Sequence, residues 1–159
     1  MIKNSYNKRL FDLFNLITLG NLMNALFEKL AQNLTPYILL LTRVVAGYMF
    51  LLYGTSKFFE VPVSMTKGNG SVELFSAMGV GGIIEIVGGA LIILGLFTRP
   101  TAFLLAGLSA VAYFGWHAPE GLFNPIGNRG APAALFCMTF LLLWLNGAGK
   151  LSLDAKLLK

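Results

Sequence analysis

Charge is what this sequence has least of. Only 12% of its 159 residues are charged and 56% are hydrophobic, with a mean hydropathy of +0.72; soluble domains are about one quarter charged. That excludes an ordinary water-soluble domain and points to a membrane protein. Cysteine is limited to Cys137, inside an apolar run, so no internal disulfide can form and the thiol reads as a small buried hydrophobe. Histidine is limited to His117. With one imidazole and no metal-ligand spacing, this chain is not expected to build a transition-metal or haem site by itself. A phosphate-binding loop, a nucleophile elbow and an internal repeat are also missing, which removes the commonest sequence signatures of catalysis.

What is present is a series of long apolar stretches. Spans of about 20 residues each fit four times into residues 34–146, giving an all-α, four-transmembrane-helix bundle. The expected spans are residues 36–59, 80–97, 100–116 and 131–145. Pro36, Pro100 and Pro132 each sit where a helix can begin. Trp116 and Trp144 fall at opposite interfaces, as an aromatic belt requires. Before the first span, Leu13, Leu16, Ile17, Met23, Phe27 and Leu30 recur at helical spacing among Asn and charged residues. This predicts an N-terminal amphipathic helix, or two short ones, lying on the membrane surface, with a loosely ordered tail as the alternative. The expected organisation is residues 1–34 as this cytoplasmic segment, 35–147 as the transmembrane domain and 148–159 as a cytoplasmic tail.

The net charge of +5 would suggest nucleic acid in a soluble protein, but here its position carries the meaning. Lys3, Lys8, Arg9, Lys29, Arg99, Lys150, Lys156 and Lys159 fall on one side of a four-span chain. The loops on the other side are near neutral. The positive-inside rule then predicts a multi-pass protein of a bacterial-type inner (plasma) membrane, with both termini cytoplasmic, lipid as its surroundings and no nucleic-acid partner.

Glu85 is the sole charge within residues 79–97. Lipid does not tolerate an isolated carboxylate, so this acid must be neutral, paired or facing a cavity. Gly81 or Gly82 and Gly88 or Gly89 share its helical face, where a neighbouring backbone can approach closely. Arg43 is the second intramembrane charge. It lies about 10 Å into the first span, and Glu85 lies about 18 Å from the same side. An Arg43–Glu85 pair at the bundle centre is therefore one reading and snorkelling of Arg43 to the headgroups another; Lys57, on the stripe of Arg43, Gly47 and Gly54, is the alternative partner for the acid. Toward the predicted outer face, Tyr113 and His117 are one helical turn apart and would continue a polar funnel to Glu85. Glu60, Glu120, Asn128 and Arg129 form its expected lid or, on the plainer reading, solvated loop positions. Arg43, Lys57, Glu85, Tyr113 and His117 thus make a candidate ligand-binding or buried polar network. Three classes fit it: a small-molecule or headgroup site, an accessory subunit gripping a larger complex, and a transporter, which four short helices without an inverted repeat make hard for a monomer.

The order of these residues resembles the DoxX family of small four-helix membrane proteins. The first span, Arg43-x3-Gly47-x2-Phe50-x3-Gly54-x2-Lys57, is similar to the family's opening pattern. The second, Gly82-x2-Glu85-x2-Gly88-Gly89-x-Leu91-x3-Gly95-Leu96-Phe97-Thr98-Arg99-Pro100, resembles its most characteristic segment. His117-Ala118-Pro119, Phe123-Asn124-Pro125, Asn128-Arg129-Gly130 and the closing Gly147-Ala148-Gly149-Lys150-Leu151-Ser152-Leu153-Asp154 complete the likeness. Many members carry a glutamate at the head of the last helix, where this chain has Ala131 and Pro132, with Glu120 the nearest replacement. The resemblance implies an accessory or scaffold subunit of a larger membrane assembly or homo-oligomer, in some members redox-related. It also implies, as the alternative, a quinone- or small-molecule-binding oxidoreductase component. Quinone is accordingly the one cofactor expected, beside a cofactor-bearing partner.

Overall fold

A computed structural model describes residues 2–157, with side chains from residue 17 onward. All regular structure among the described residues is helical: α1 (Ile2–Phe59), α2 (Ala77–Leu94), α3 (Thr98–Ala112), α4 (Ala131–Asn146) and α5 (Leu153–Leu157). Three helical stretches, Ile17–Phe59, Ala77–Leu94 and Thr98–Glu120, are long and apolar enough to cross a membrane; Ala131–Asn146 is apolar but shorter. The chain divides into two units, Met1–Thr35 and Pro36–Lys159.

In the first unit, α1 carries Leu19, Leu22, Met23, Leu26, Phe27 and Leu30 at spacings that recur every three or four residues, and all six are exposed. Nothing described in its own unit covers these side chains. The expectations placed on Leu13, Leu16, Lys3, Lys8, Arg9 and Lys159 fall outside the described side chains. Where the sequence predicts a new helix starting at Pro36, α1 includes that proline. Pro36 has no N–H, so α1 lacks one helical bond at that point, a local loss that the bonds before and after it bridge.

In the second unit, the elements pack through glycine. A Cβ on Gly47 would come 2.6 Å from the Gly89 carbonyl oxygen, and one on Gly54 would come 2.7 Å from that of Gly82. Only residues without a side chain allow backbones this close. The two contacts also fix the register between antiparallel α1 and α2. Gly47 lies opposite Gly89 and Gly54 opposite Gly82, so Glu85 lies level with Leu51. Beside this seam Ala46, Phe50, Ile92, Ala102, Leu105, Ala106, Phe140 and Leu143 form the core. Phe50 meets Phe140 and Phe136 edge-on at centroid distances of 4.6 and 4.9 Å, a geometry that favours the ring quadrupoles.

The α2–α3 turn is closed by the end of the chain. Gly95 ends α2 in the left-handed conformation (φ 65°) and bonds back to the Ile92 carbonyl, as a helix stop requires. The Asp154 carboxylate accepts hydrogen bonds from Phe97 N (2.7 Å) and Thr98 N (2.9 Å), and Asp154 N donates to the Gly95 carbonyl (2.8 Å). A residue 56 positions away in sequence from Thr98 thus serves α3 as its N-terminal cap, a place where an acid is favoured. Residues 148–157 are in this way built into the bundle.

α3 does not end cleanly. Its helical path widens to a five-residue turn over Tyr113–His117 and then tightens over Ala118–Glu120. Trp144 near the end of α4 packs on Phe103 near the start of α3, 5.4 Å between rings, so Trp116 and Trp144 lie toward opposite ends of α3.

Candidate functional site

The sequence expectation of an Arg43–Glu85 pair is overturned: the partner of Glu85 is Lys57. Lys57 Nζ donates to both carboxylate oxygens, at 2.7 and 2.8 Å, and both side chains are nearly buried. The glycine register gives the reason. Level with Leu51, Glu85 stands about 9 Å along the axis from Lys57 and about 12 Å from Arg43, so the lysine, reaching down its stem, has the shorter span.

Arg43 is wholly buried and engaged elsewhere. Its Nη1 donates to the Ala148 carbonyl at 2.8 Å and its Nη2 to the Leu151 carbonyl at 2.9 Å. The planar guanidinium forks across two carbonyls of the closing segment, a task a lysine cannot share. Snorkelling is excluded by the same contacts. Arg99 adds a bond to the Trp144 carbonyl (3.1 Å). Arg43 is therefore a clasp for residues 148–151.

The Lys57–Glu85 pair forms the floor of a cavity of about 530 Å³ between the helices, within the range of small-molecule sites. Phe50, Tyr53, Phe136 and Trp116 supply aromatic walls, and Leu108 and Val111 line it from α3. The small residues Gly81, Ala112 and Ala133 leave the volume open. His117 and Arg129 line it as well. The site is thus a largely apolar slot with one ion pair inside and the polar groups of Tyr53, Ser109, His117 and Arg129 around it.

His117 and Arg129 are positioned by a loop with its own internal scaffold. Asn128 is buried; its Nδ2 donates to the Gly121 carbonyl (2.8 Å) and its Oδ1 accepts from Gly130 N (2.8 Å). His117 Nδ1 lies 2.9 Å from the Asn128 carbonyl. A carbonyl can only accept, so Nδ1 carries a proton, which leaves Nε2 as the acceptor in the neutral ring. Gly130 packs against His117 and Tyr113, where a Cβ would come within 2.8 Å of both side chains. Arg129 itself adopts a left-handed backbone (φ 59°).

Four further expected members of the site, Tyr113, Glu60, Glu120 and Asn128, do not line the cavity. Tyr113 does not line the cavity: its hydroxyl donates to the Leu122 carbonyl at 2.6 Å. It still shares a side with His117, since both side chains flank Gly130, but its ring is tied to the Leu122 carbonyl instead of bordering the cavity. Glu60 belongs to the α1–α2 loop, where it accepts hydrogen bonds from Thr66 (2.6 Å), Ser64 (2.8 Å) and Gly70 N (3.2 Å). Those donors, Thr66 first, hold its carboxyl below its ordinary pKa. Glu120 is exposed and does not line the cavity. Asn128 braces the loop, and of the expected lid only Arg129 reaches the cavity. The residues that sequence reasoning did not single out, Tyr53, Trp116 and Phe136, are its aromatic walls; in the sequence they are indistinguishable from core or lipid-facing aromatics.

Known proteins resemble this chain along most of its length. An uncharacterised protein of Haemophilus influenzae is 51% identical over 130 residues, covering 80% of this chain and 96% of that protein. The inner membrane protein YphA of Escherichia coli K12 is 27% identical over 127 residues, 76% of this chain and 91% of that one. No solved structure matches. The DoxX family model matches residues 38–118, a stretch that holds the α1–α2 glycine seam, Lys57, Glu85 and His117. The chain is a helical membrane protein, and it belongs to the DoxX family.

Proposed function

We propose that this chain crosses a bacterial-type inner membrane four times, with both termini cytoplasmic, and that its inter-helix cavity receives a small amphiphilic molecule for a larger membrane assembly. One observation carries the reading: the intramembrane carboxylate of Glu85 and its Lys57 partner face a cavity of about 530 Å³ with aromatic walls. An ion pair needed only to hold helices together has no reason to border open volume, since close packing around it would serve that role better. The fourth crossing is supported by α4, whose 16 residues, apolar but for Thr139 and Asn146, extend about 24 Å and pack beside α3. The basic residues on one side of the sequence support the orientation.

In a redox version of this role the molecule is a quinone. Its planar head fits among Phe50, Tyr53 and Phe136, and a hydroxyl of its reduced form could donate to His117 Nε2. Electrons would come from a cofactor-bearing partner. A scaffold role has its own support in the uncovered stripe from Leu19 to Leu30, which offers a surface to lipid or to another subunit. Purification in mild detergent, followed by mass spectrometry of retained proteins and small molecules, separates the two. A stoichiometric small molecule that is lost in Glu85→Gln, with helicity unchanged, supports the cavity reading. A stoichiometric protein partner with an empty cavity refutes it in favour of the scaffold.

A further inference from the structure

The charges that border the cavity do not cancel. Lys57 and Glu85 neutralise one another through two short hydrogen bonds. His117 adds an imidazole whose Nδ1 is taken by the Asn128 carbonyl. Apart from the Tyr53 phenol, the remaining ionisable group on the lining is Arg129, an exposed residue at the cavity's rim whose guanidinium has no hydrogen-bond or ion-pair partner among the described residues. The nearby acids do not compensate it. Glu120 stays outside the lining, and Glu60 is occupied by Ser64, Thr66 and Gly70. The site therefore has an uncompensated positive charge at the edge of an apolar slot.

Two further observations concern where that charge is held. Arg129 occupies a left-handed backbone (φ 59°) immediately before Gly130, a conformation that costs a non-glycine residue about 1 kcal/mol or more. The loop holds Arg129 there through Asn128, which is buried and bonded to Gly121 and Gly130. The first turn of α4 also contributes Pro132 and Ala133 to the lining, so the positive end of that helix dipole faces the same volume. A neutral ligand could take a hydrogen bond from the guanidinium, but an anion gains more from both the full charge and the dipole.

We infer that the ligand of this cavity is an acid-headed amphiphile, a carboxylate or similar monoanion on an apolar body. The anion pairs with the Arg129 guanidinium, and the apolar body lies among Phe50, Trp116 and Phe136. This rests on the cavity reading above and narrows it from amphiphiles in general to acids.

The chain contains two tryptophans, so Trp144→Phe leaves Trp116, on the cavity wall, as the sole reporter. In nanodiscs of zwitterionic phospholipid, 11-bromoundecanoate should quench Trp116 saturably, and unbrominated undecanoate should reverse the quenching. The neutral 11-bromoundecanol should give only the linear quenching of bilayer partition. Arg129→Gln should weaken the acid about tenfold or more, through loss of a charge-assisted contact, with unchanged helicity and melting; Arg129→Lys should fall between. If acid and alcohol saturate alike, if a short-chain benzoquinone saturates and the acid does not, or if Arg129→Gln binds the acid normally, the acid inference fails while the cavity reading stands. If none of the probes saturates or is reversed by competitor, both fail.

Discussion

A double-mutant cycle on Lys57 and Glu85 tests the central contact of the bundle. Lys57→Met removes the cation and leaves a carboxylate that is 12% exposed; Glu85→Gln removes the anion and leaves an ammonium that is 14% exposed. Breaking a buried pair from one side costs about 3–5 kcal/mol. The cavity gives the stranded charge some access to water, so each single change should cost about 2–3 kcal/mol. The double variant strands no charge and should cost no more than either single one, giving a coupling energy of about 2 kcal/mol. Arg43 supplies the control. It lies about 21 Å from Lys57 along α1 and is bonded to Ala148 and Leu151, so Arg43→Met should destabilise by itself. Combined with Glu85→Gln, its effect should add to within about 0.5 kcal/mol, as for independent sites. The assay is reversible unfolding in mixed micelles with rising SDS, followed by far-ultraviolet circular dichroism. A Lys57–Glu85 coupling under about 0.5 kcal/mol, or an Arg43–Glu85 coupling near 2, would refute the assignment.

Gly89→Ala should destabilise by about 1–3 kcal/mol in the same assay, because its Cβ would lie 2.6 Å from the Gly47 carbonyl and 2.9 Å from Leu51 N. Gly107→Ala, whose Cβ meets nothing within 4 Å, should be neutral or stabilising by up to about 1 kcal/mol through helix propensity; equal effects at the two sites would remove the argument for close backbone packing. Asp154→Ala should cost about 1–2 kcal/mol as the cap of α3 is lost. Hydrogen exchange at Phe97 and Thr98 should quicken selectively, whereas unchanged exchange there would count against the cap. The Glu60 carboxyl is held below its ordinary value of 4.5 by Thr66 and Ser64. Its contribution to the order of the α1–α2 loop is present above the unfolded value and disappears as pH falls through the lower folded value. Acidification below 4.5 should therefore speed hydrogen exchange at Gly70 in the parent, and Glu60→Gln should show fast exchange already at neutral pH.

How much of this was legible beforehand depends on whether a feature is local or a matter of register. The inward faces of α1 and α2 were visible because Gly47, Gly54, Gly82 and Gly89 recur at multiples of seven, a period that survives any rotation of the helices. The partner of Glu85 was not visible. Arg43 and Lys57 are fourteen residues apart on one stripe, and only the axial offset between α1 and α2 chooses between them. Tyr113 shares a side with His117, as its spacing suggests, but its hydroxyl is taken by the Leu122 carbonyl, an acceptor that spacing cannot reveal. The role of Arg43 was hidden for a different reason: its acceptors are main-chain carbonyls, which any sequence supplies. Arg129 stood among the lid residues, yet its neighbour Asn128, equally polar in sequence, is buried as a brace. The difference lies in the turn, which buries one side chain within the loop and leaves the other exposed at the rim of the cavity.

The Asp154 cap carries a consequence for the order in which the molecule is made. α2 and α3 can enter the bilayer as a hairpin as soon as they are synthesised, but the first amides of α3 receive their acceptor only after residue 154 exists. Arg43 waits on the same segment, its guanidinium unsatisfied until Ala148 and Leu151 arrive. The bundle is thus completed only once residues 148–154 are in place, and a chain stopped after α4 would leave a bare cation and an open helix end at one face. Such a product would be inserted but unfinished, with a marked face for quality-control proteases to recognise.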